Sequence, residues 1–89
     1  MAVGFLQHCR DDLYYRKLVD GGMLYDEVTG QVHHFNHTAA KIWESCQLGH
    51  TREQIVSGLV RDFSLDPDSV EADVNAILTA FARSDLFAR

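Results

Sequence analysis

The hydrophobic pattern of the chain changes its period once, near Asn36, from about two residues to about 3.6. Before this point, apolar and aromatic side chains occur in short runs separated by glycine-containing turns, which is typical of antiparallel strands. After it, apolar side chains recur every three or four residues, which is typical of amphipathic helices. A chain with this order of elements is expected to form a small α+β domain.

Three extended segments are predicted in the first part of the chain, at residues 13–19, 23–26 and 31–35. A turn at residues 20–22 separates the first two segments. Gly30 suits the second turn, because glycine adopts positive φ at low cost. Strands joined by such short turns form an antiparallel meander.

Three helices are predicted from the capping signals at their starts. Asn36 can cap the first helix, Thr51 and Gln54 form a capping box at the second, and Asp66 and Pro67 begin the third. The predicted apolar stripes are Ala39, Ala40, Ile42, Trp43 and Cys46 on the first helix, Ile55, Leu59, Val60 and Phe63 on the second, and Val70, Val74, Ile77, Leu78 and Phe81 on the third. A three-stranded antiparallel sheet followed by three helices predicts a winged-helix-like α+β fold.

The chain of 89 residues is expected to be a single domain, residues 1–89, with its core at about residues 12–87. Its start lacks the basic region and long apolar run of a secretory signal, and no segment approaches membrane-spanning length. The two cysteines lie far apart without CxxC spacing, so reduced thiols are expected. Together these features predict a cytoplasmic protein.

A winged-helix shape raises the hypothesis of a DNA-binding regulator. The net charge of the chain is -5, and residues 62–82, which include the helix that would read DNA, contain five acidic residues and no lysine or arginine. Such a surface repels phosphate groups. The charge therefore argues against nucleic acid and against anionic membranes as partners.

No catalytic residue is predicted. The doublet Asp11-Asp12 precedes a strand, where neighbouring side chains diverge into solvent, and no glycine-rich phosphate-binding motif occurs. The cluster of His33, His34 and His37 raises another alternative, a small histidine-based metal-binding protein. Because His33 and His34 would point to opposite faces of a strand, at most two of the three could converge without help from Cys46 or His50. The sequence thus predicts no enzyme activity, no bound metal and no cofactor.

Several sequence motifs of the chain resemble those of the PqqD-like family, also called RiPP recognition elements, and they occur in the order typical of that family. They are FNHTAAKIW at residues 35–43, GHT at residues 49–51 followed by Ile55, and an acidic segment before the third helix. The resemblance covers about residues 12–87. Leu48 stands where the family commonly has aspartate, and a histidine-rich third strand is not typical of it. These differences leave open which branch of the family the chain represents.

The resemblance implies a noncatalytic peptide chaperone. In the family, the leader of a ribosomally synthesised precursor peptide pairs with the third strand, beside the third helix, and the precursor is presented to a maturation enzyme such as a radical SAM protein, a peptidase or a cyclase. The implied peptide-binding residues are Gln31, Val32, His33, His34 and Phe35 on the strand and Val70, Asp73, Val74 and Ile77 on the helix.

The physical basis of this assignment is an unpaired strand edge, which offers backbone donors and acceptors to any extended peptide. The same edge would also allow a homodimer. The apolar residues assigned to the third helix also fit a second interpretation, in which they pack in the core.

Overall fold

A computed structural model of the chain describes residues 9–87 and contains three strands followed by three helices. The strands are β1 (Leu13–Leu18), β2 (Gly21–Asp26) and β3 (Val32–Asn36), and the helices are α1 (His37–Gln47), α2 (Arg52–Phe63) and α3 (Pro67–Arg83). The predicted fold class, a three-stranded antiparallel sheet followed by three helices, is confirmed.

The sheet has the order β1-β2-β3 with antiparallel pairing throughout. Its register aligns Tyr15 with Leu24, and Leu24 with His33. Side chains alternate across a strand, so these three lie on one face of the sheet. Leu24 has no exposed surface, which identifies this as the face that packs into the core.

The predicted turn at residues 20–22 is wrong in extent, because Gly21 and Gly22 belong to β2. A Cβ atom at Gly21 would collide with the carbonyl oxygen of Phe35, and one at Gly22 would lie 2.6 Å from the Tyr15 hydroxyl. Both glycines therefore allow close packing within the sheet. The first turn contains only the two residues 19 and 20.

The predicted helix starts are confirmed by their hydrogen bonds. The side chain of Asn36 accepts from the backbone N–H of Ala39 at 2.8 Å, and Asp66 accepts from the N–H of Ser69 at 3.0 Å. The capping box that begins α2 is complete in both directions. Each cap satisfies a backbone donor that the first turn of a helix leaves open.

The core is centred on Trp43, which has no exposed surface. Its ring centroid lies 5.9 Å from that of Phe35, 5.4 Å from Phe81 and 6.4 Å from Phe87. These rings join β3, α1, α3 and the segment after α3. Phe63, which the sequence places in the apolar stripe of α2, is instead 41% exposed. It lies at the end of α2, outside this ring cluster.

A second buried cluster is polar and centres on Asp26, which is 2% exposed. Arg10 donates to both carboxylate oxygens of Asp26, at 3.0 and 3.1 Å, and to the carbonyl of Asp85 at 2.7 Å. Arg10 also pairs with Asp12 at 3.0 Å, so the expectation that Asp12 is simply solvated is wrong. This cluster joins the segment before β1 to the end of β2 and to the segment after α3.

The hydrogen bonds from Arg10 hold the pKa of Asp26 below its usual value; burial opposes this shift, and the backbone N–H groups of Thr29 and Val28 add to it. A carboxyl whose pKa is lower in the folded than in the unfolded chain stabilises the fold above the unfolded pKa. That stabilisation is lost as the pH falls through the folded pKa.

We therefore predict that Asp26→Asn lowers the thermal unfolding temperature at pH 7, because it removes a charge that Arg10 requires as a partner. The difference in unfolding temperature between the variant and the natural chain should shrink below about pH 4, because the Asp26 carboxyl of the unfolded natural chain becomes protonated there. Thermal unfolding followed by circular dichroism from pH 3 to pH 7 measures this difference.

Asp12→Asn is the matched control, because Asp12 contacts the same arginine but its side chain is 38% exposed. Its effect at pH 7 should be the smaller of the two. An Asp26→Asn difference of equal size at pH 3 and pH 7 would show that this carboxylate does not stabilise the fold through its charge.

Candidate functional site

The outer edge of β3 is paired with no strand in residues 9–87. The backbone N–H of Asp26 donates to the carbonyl of Gln31 at 2.8 Å. In an antiparallel ladder, successive residues alternate between bonding the neighbouring strand and pointing away from it. With the observed register, His33 and Phe35 bond β2, whereas the N–H and C=O groups of Val32 and His34 point outward.

The side chains of β3 alternate between the two faces of the sheet. His33 and Phe35 lie on the core face, and both are partly buried. Val32 and His34 lie on the opposite face and are exposed, which confirms that the two adjacent histidines point in opposite directions. Gln31 precedes the strand and is also exposed. The edge therefore combines outward backbone groups with exposed side chains on one face.

Two of the four residues assigned to the third helix lie in the core. Val70 is 3% exposed and Val74 is 0% exposed. They share the helix face of Phe81, whose ring lies 5.1 Å from that of Phe35 on β3. The core-packing interpretation describes their position, because both side chains are almost wholly covered.

The remaining two, Asp73 and Ile77, lie on the flank of α3 that points away from α2. Arg52 of α2 bonds to Glu71 at 3.0 Å, which identifies the opposite flank as the one facing α2. At 3.6 residues per turn, Asp73 and Ile77 lie more than about 100° around the helix from Glu71. Phe81, one turn after Ile77, contacts Phe35 of β3 through its ring.

Among the residues that the structure describes, 9–87, the sheet has a second unpaired edge, at β1. The N–H of Glu27 donates to the carbonyl of Asp12 at 3.2 Å, so the same alternation directs the backbone groups of Tyr15 and Lys17 outward. The Tyr15 hydroxyl donates to Glu44 of α1 at 2.7 Å. Of the two edges, β3 is the one that α3 approaches through an aromatic contact.

The histidine cluster does not form a ligand set. Within residues 9–87, no group of three or more His, Cys, Asp or Glu side chains is placed to hold a metal ion. His37, at the start of α1, lies edge-on to Phe63 at a centroid distance of 6.2 Å. The alternative of a histidine-based metal-binding protein gains no support from this arrangement.

Two surface cavities lie away from the β3 edge. One of about 540 Å³ lies between α1 and α2, with Glu44, Leu48 and Gly58 in its lining. The other, of about 630 Å³, is lined in part by Cys9 and Cys46. Burial raises the pKa of Cys9 to about 11 and that of Cys46 to about 12. Both thiols thus stay protonated at neutral pH and are poor nucleophiles.

None of the helices within residues 9–87 has the length and apolar character needed to cross a membrane.

The family model described as Coenzyme PQQ synthesis protein D (PqqD) matches residues 21–86. This chain belongs to the PqqD family. The matched residues contain all three motifs on which the resemblance was based. A comparison with curated proteins finds no significant match.

Two solved structures have the same fold as this PqqD-family chain. The chain is 25% identical to TbiB1 in a structure described as a complex with the TbiA(beta) leader peptide, with a TM-score of 0.83 over 90% of this chain and 93% of that chain. A lasso peptide synthetase B1, described as complexed with the leader peptide, is 22% identical, with a TM-score of 0.78 over 92% of this chain and 95% of that chain.

The family resemblance implies five consecutive peptide-binding residues, 31–35, but it does not indicate which of them have backbone groups that point outward. The signal for separating them is the register. Once Leu24 is placed opposite His33, the positions of Val32 and His34 follow from the alternation of the ladder. In this PqqD-family chain, register is set by a turn whose hydrogen bonds are not apparent from hydrophobic patterning alone.

We predict that Val74→Ala destabilises the fold by about 2 kcal/mol, because it removes buried methyl groups and leaves a cavity. Asp73→Asn, one residue earlier and exposed, should change the free energy of unfolding by less than about 0.5 kcal/mol. Urea unfolding of both variants measures the difference. Equal effects would contradict the assignment of Val74 to the core and Asp73 to the surface.

Proposed function

We propose that this PqqD-family chain binds the leader of a ribosomally synthesised precursor peptide as a strand added to β3. The main support is the unpaired edge of β3, where the backbone groups of Val32 and His34 point outward beside α3. The description of TbiB1 as a leader-peptide complex adds to this support. We further propose that the chain presents the bound precursor to a maturation enzyme and performs no chemistry itself.

Backbone pairing would supply an affinity that depends little on the leader sequence. Each hydrogen bond formed contributes roughly 0.5–1.5 kcal/mol net, and the outward N–H and C=O groups of Val32 and His34 can make several. A flexible peptide loses conformational entropy when it docks, which offsets part of this gain. We therefore expect a dissociation constant on the order of micromolar.

Side chains beside the edge would select among leaders. Ile77 is partly buried and offers apolar surface, and Asp73 is exposed on the same flank of α3. The combination favours a leader with an apolar residue near Ile77 and a basic residue near Asp73. The exposed acids of this helix, which include Asp68 and Glu71, also repel phosphates, so the DNA-binding alternative is not favoured.

Two features of the proposal stay open to experiment. The maturation enzyme could be a radical SAM protein, a peptidase or a cyclase, and the order of genes around this chain would identify both enzyme and precursor.

A homodimer formed through β3 would occupy the edge that the leader needs. Leader binding should then weaken as the protein concentration rises, which sedimentation and titration together would reveal.

We predict that His34→Pro weakens leader binding by about tenfold, because proline removes an outward N–H donor worth roughly 1–1.5 kcal/mol. His34→Ala is the matched control, since it removes the same side chain but retains the donor. Its affinity should stay within about threefold of the natural chain. The leader used is that of the precursor peptide encoded beside this chain. Titration with this leader, monitored by Trp43 fluorescence or by amide chemical shifts, measures the affinity of both variants.

Circular dichroism of the proline variant should show the helices intact, because an edge strand tolerates proline where its N–H is unpaired. If both variants lose affinity equally while remaining folded, the imidazole and not the backbone is the binding group. If neither loses affinity, the leader does not pair with β3 at this position.

A further inference from the structure

The face of the sheet opposite the core carries exposed aromatic and apolar side chains. We call it the outer sheet face and define it as the side chains of Tyr14, Arg16, Leu18, Met23, Tyr25, Val32 and His34, which the register places on one side. Tyr14, Tyr25 and Val32 are 57%, 40% and 46% exposed. No residue of the buried core belongs to this face.

This composition is unusual for a surface in contact with water. An antiparallel sheet with one solvated face normally places polar side chains on that face. Here the rings of Tyr14 and Tyr25 stack with centroids 6.5 Å apart, and Met23 and Leu18 are only partly covered. A continuous exposed patch of this kind marks an interaction site, and tyrosine is among the residues that contribute most to protein interfaces.

The charge of the outer sheet face indicates the charge that its partner carries. Arg16 is exposed and is the only residue of the set with a fixed charge. It forms no ion pair with any residue in the described range, 9–87. In a chain with a net charge of -5, an unpaired arginine amid apolar side chains is suited to a partner that supplies a carboxylate beside an apolar patch.

Two sources within this protein lack that carboxylate. A second copy related by two-fold symmetry would present the same face, which contains no acidic residue. Residues 1–8 likewise contain no aspartate or glutamate. Neither of these two supplies a side-chain carboxylate to Arg16, which favours a different protein as the source of the complementary surface.

We propose that the outer sheet face binds the maturation enzyme through an apolar patch flanked by an acidic residue. This inference rests on the proposed function, because Val32 belongs both to the outer sheet face and to the edge where the leader would dock. A leader strand added to β3 would extend the same face by one strand. The enzyme would then contact the chain and the leader side by side.

The test compares Arg16→Glu with Lys17→Glu. The two residues are adjacent, exposed and equal in charge, but their side chains lie on opposite faces of β1. Binding of each variant is measured against the purified radical SAM protein, peptidase or cyclase encoded next to this chain, with and without the leader of the neighbouring precursor. Binding to that leader alone is measured separately.

We expect Arg16→Glu to weaken binding to the enzyme by about tenfold or more, since it sets a like charge against the partner's carboxylate. Lys17→Glu should stay within about twofold, and both variants should bind the leader as the natural chain does. Tyr14→Ser should also weaken enzyme binding, which tests the apolar part of the surface independently of charge.

Equal losses for Arg16→Glu and Lys17→Glu, or no loss for either, would overturn the proposal. An effect of Arg16→Glu on self-association, seen by sedimentation, would assign the face to a second copy instead. Failure of the natural chain to bind the leader would count against the proposed function alone, because the comparison of the two variants with the enzyme could still be made.

Discussion

The pairing of Leu24 with His33 fixes what β3 presents to solvent. Leu24 is fully buried at the centre of the sheet, so a shift of β3 by one residue against it would turn every β3 side chain to the other face. The same register decides which backbone groups bond β2 and which remain open. The proposed docking edge and the outer sheet face are therefore two consequences of one strand pairing.

Asp26 links this register to the rest of the molecule. Its backbone bonds to Gln31 and Gly30 across the turn, while its carboxylate accepts from the N–H of Val28 and from Arg10. A buried carboxylate with these partners holds the turn in one geometry, because losing a hydrogen bond to a buried carboxylate oxygen would destabilise the fold. The polar cluster around Arg10 thus holds the end of β2 from which the turn leads into β3.

Much of the fold follows from local signals in the sequence. Asn36, Thr51 and Asp66 predict the starts of the three helices, because capping needs only residues within one turn. The extent of the first turn did not follow, since Gly21 allows the close approach of the β3 backbone and Gly22 leaves room for the Tyr15 ring. The pattern of a sequence indicates glycine positions but does not distinguish a turn from close packing.

The site was predictable only in part. The family motifs point to β3 and α3, but periodicity cannot tell whether Val70 and Val74 face a groove or the core, because both positions require apolar residues. Arg10 was not recognised as the partner of Asp26, since the two lie 16 residues apart and neither belongs to a motif. Contacts at such separations depend on tertiary packing, which hydrophobic patterning does not specify.

Amide hydrogen exchange with and without the leader tests the docking edge most directly. The account predicts that the leader slows exchange at Val32 and His34 by about tenfold or more, because their N–H groups gain partners. The N–H groups of His33 and Phe35 already bond β2 and should change little. Protection at Tyr15 and Lys17 on the β1 edge, with none at Val32 and His34, would contradict the account.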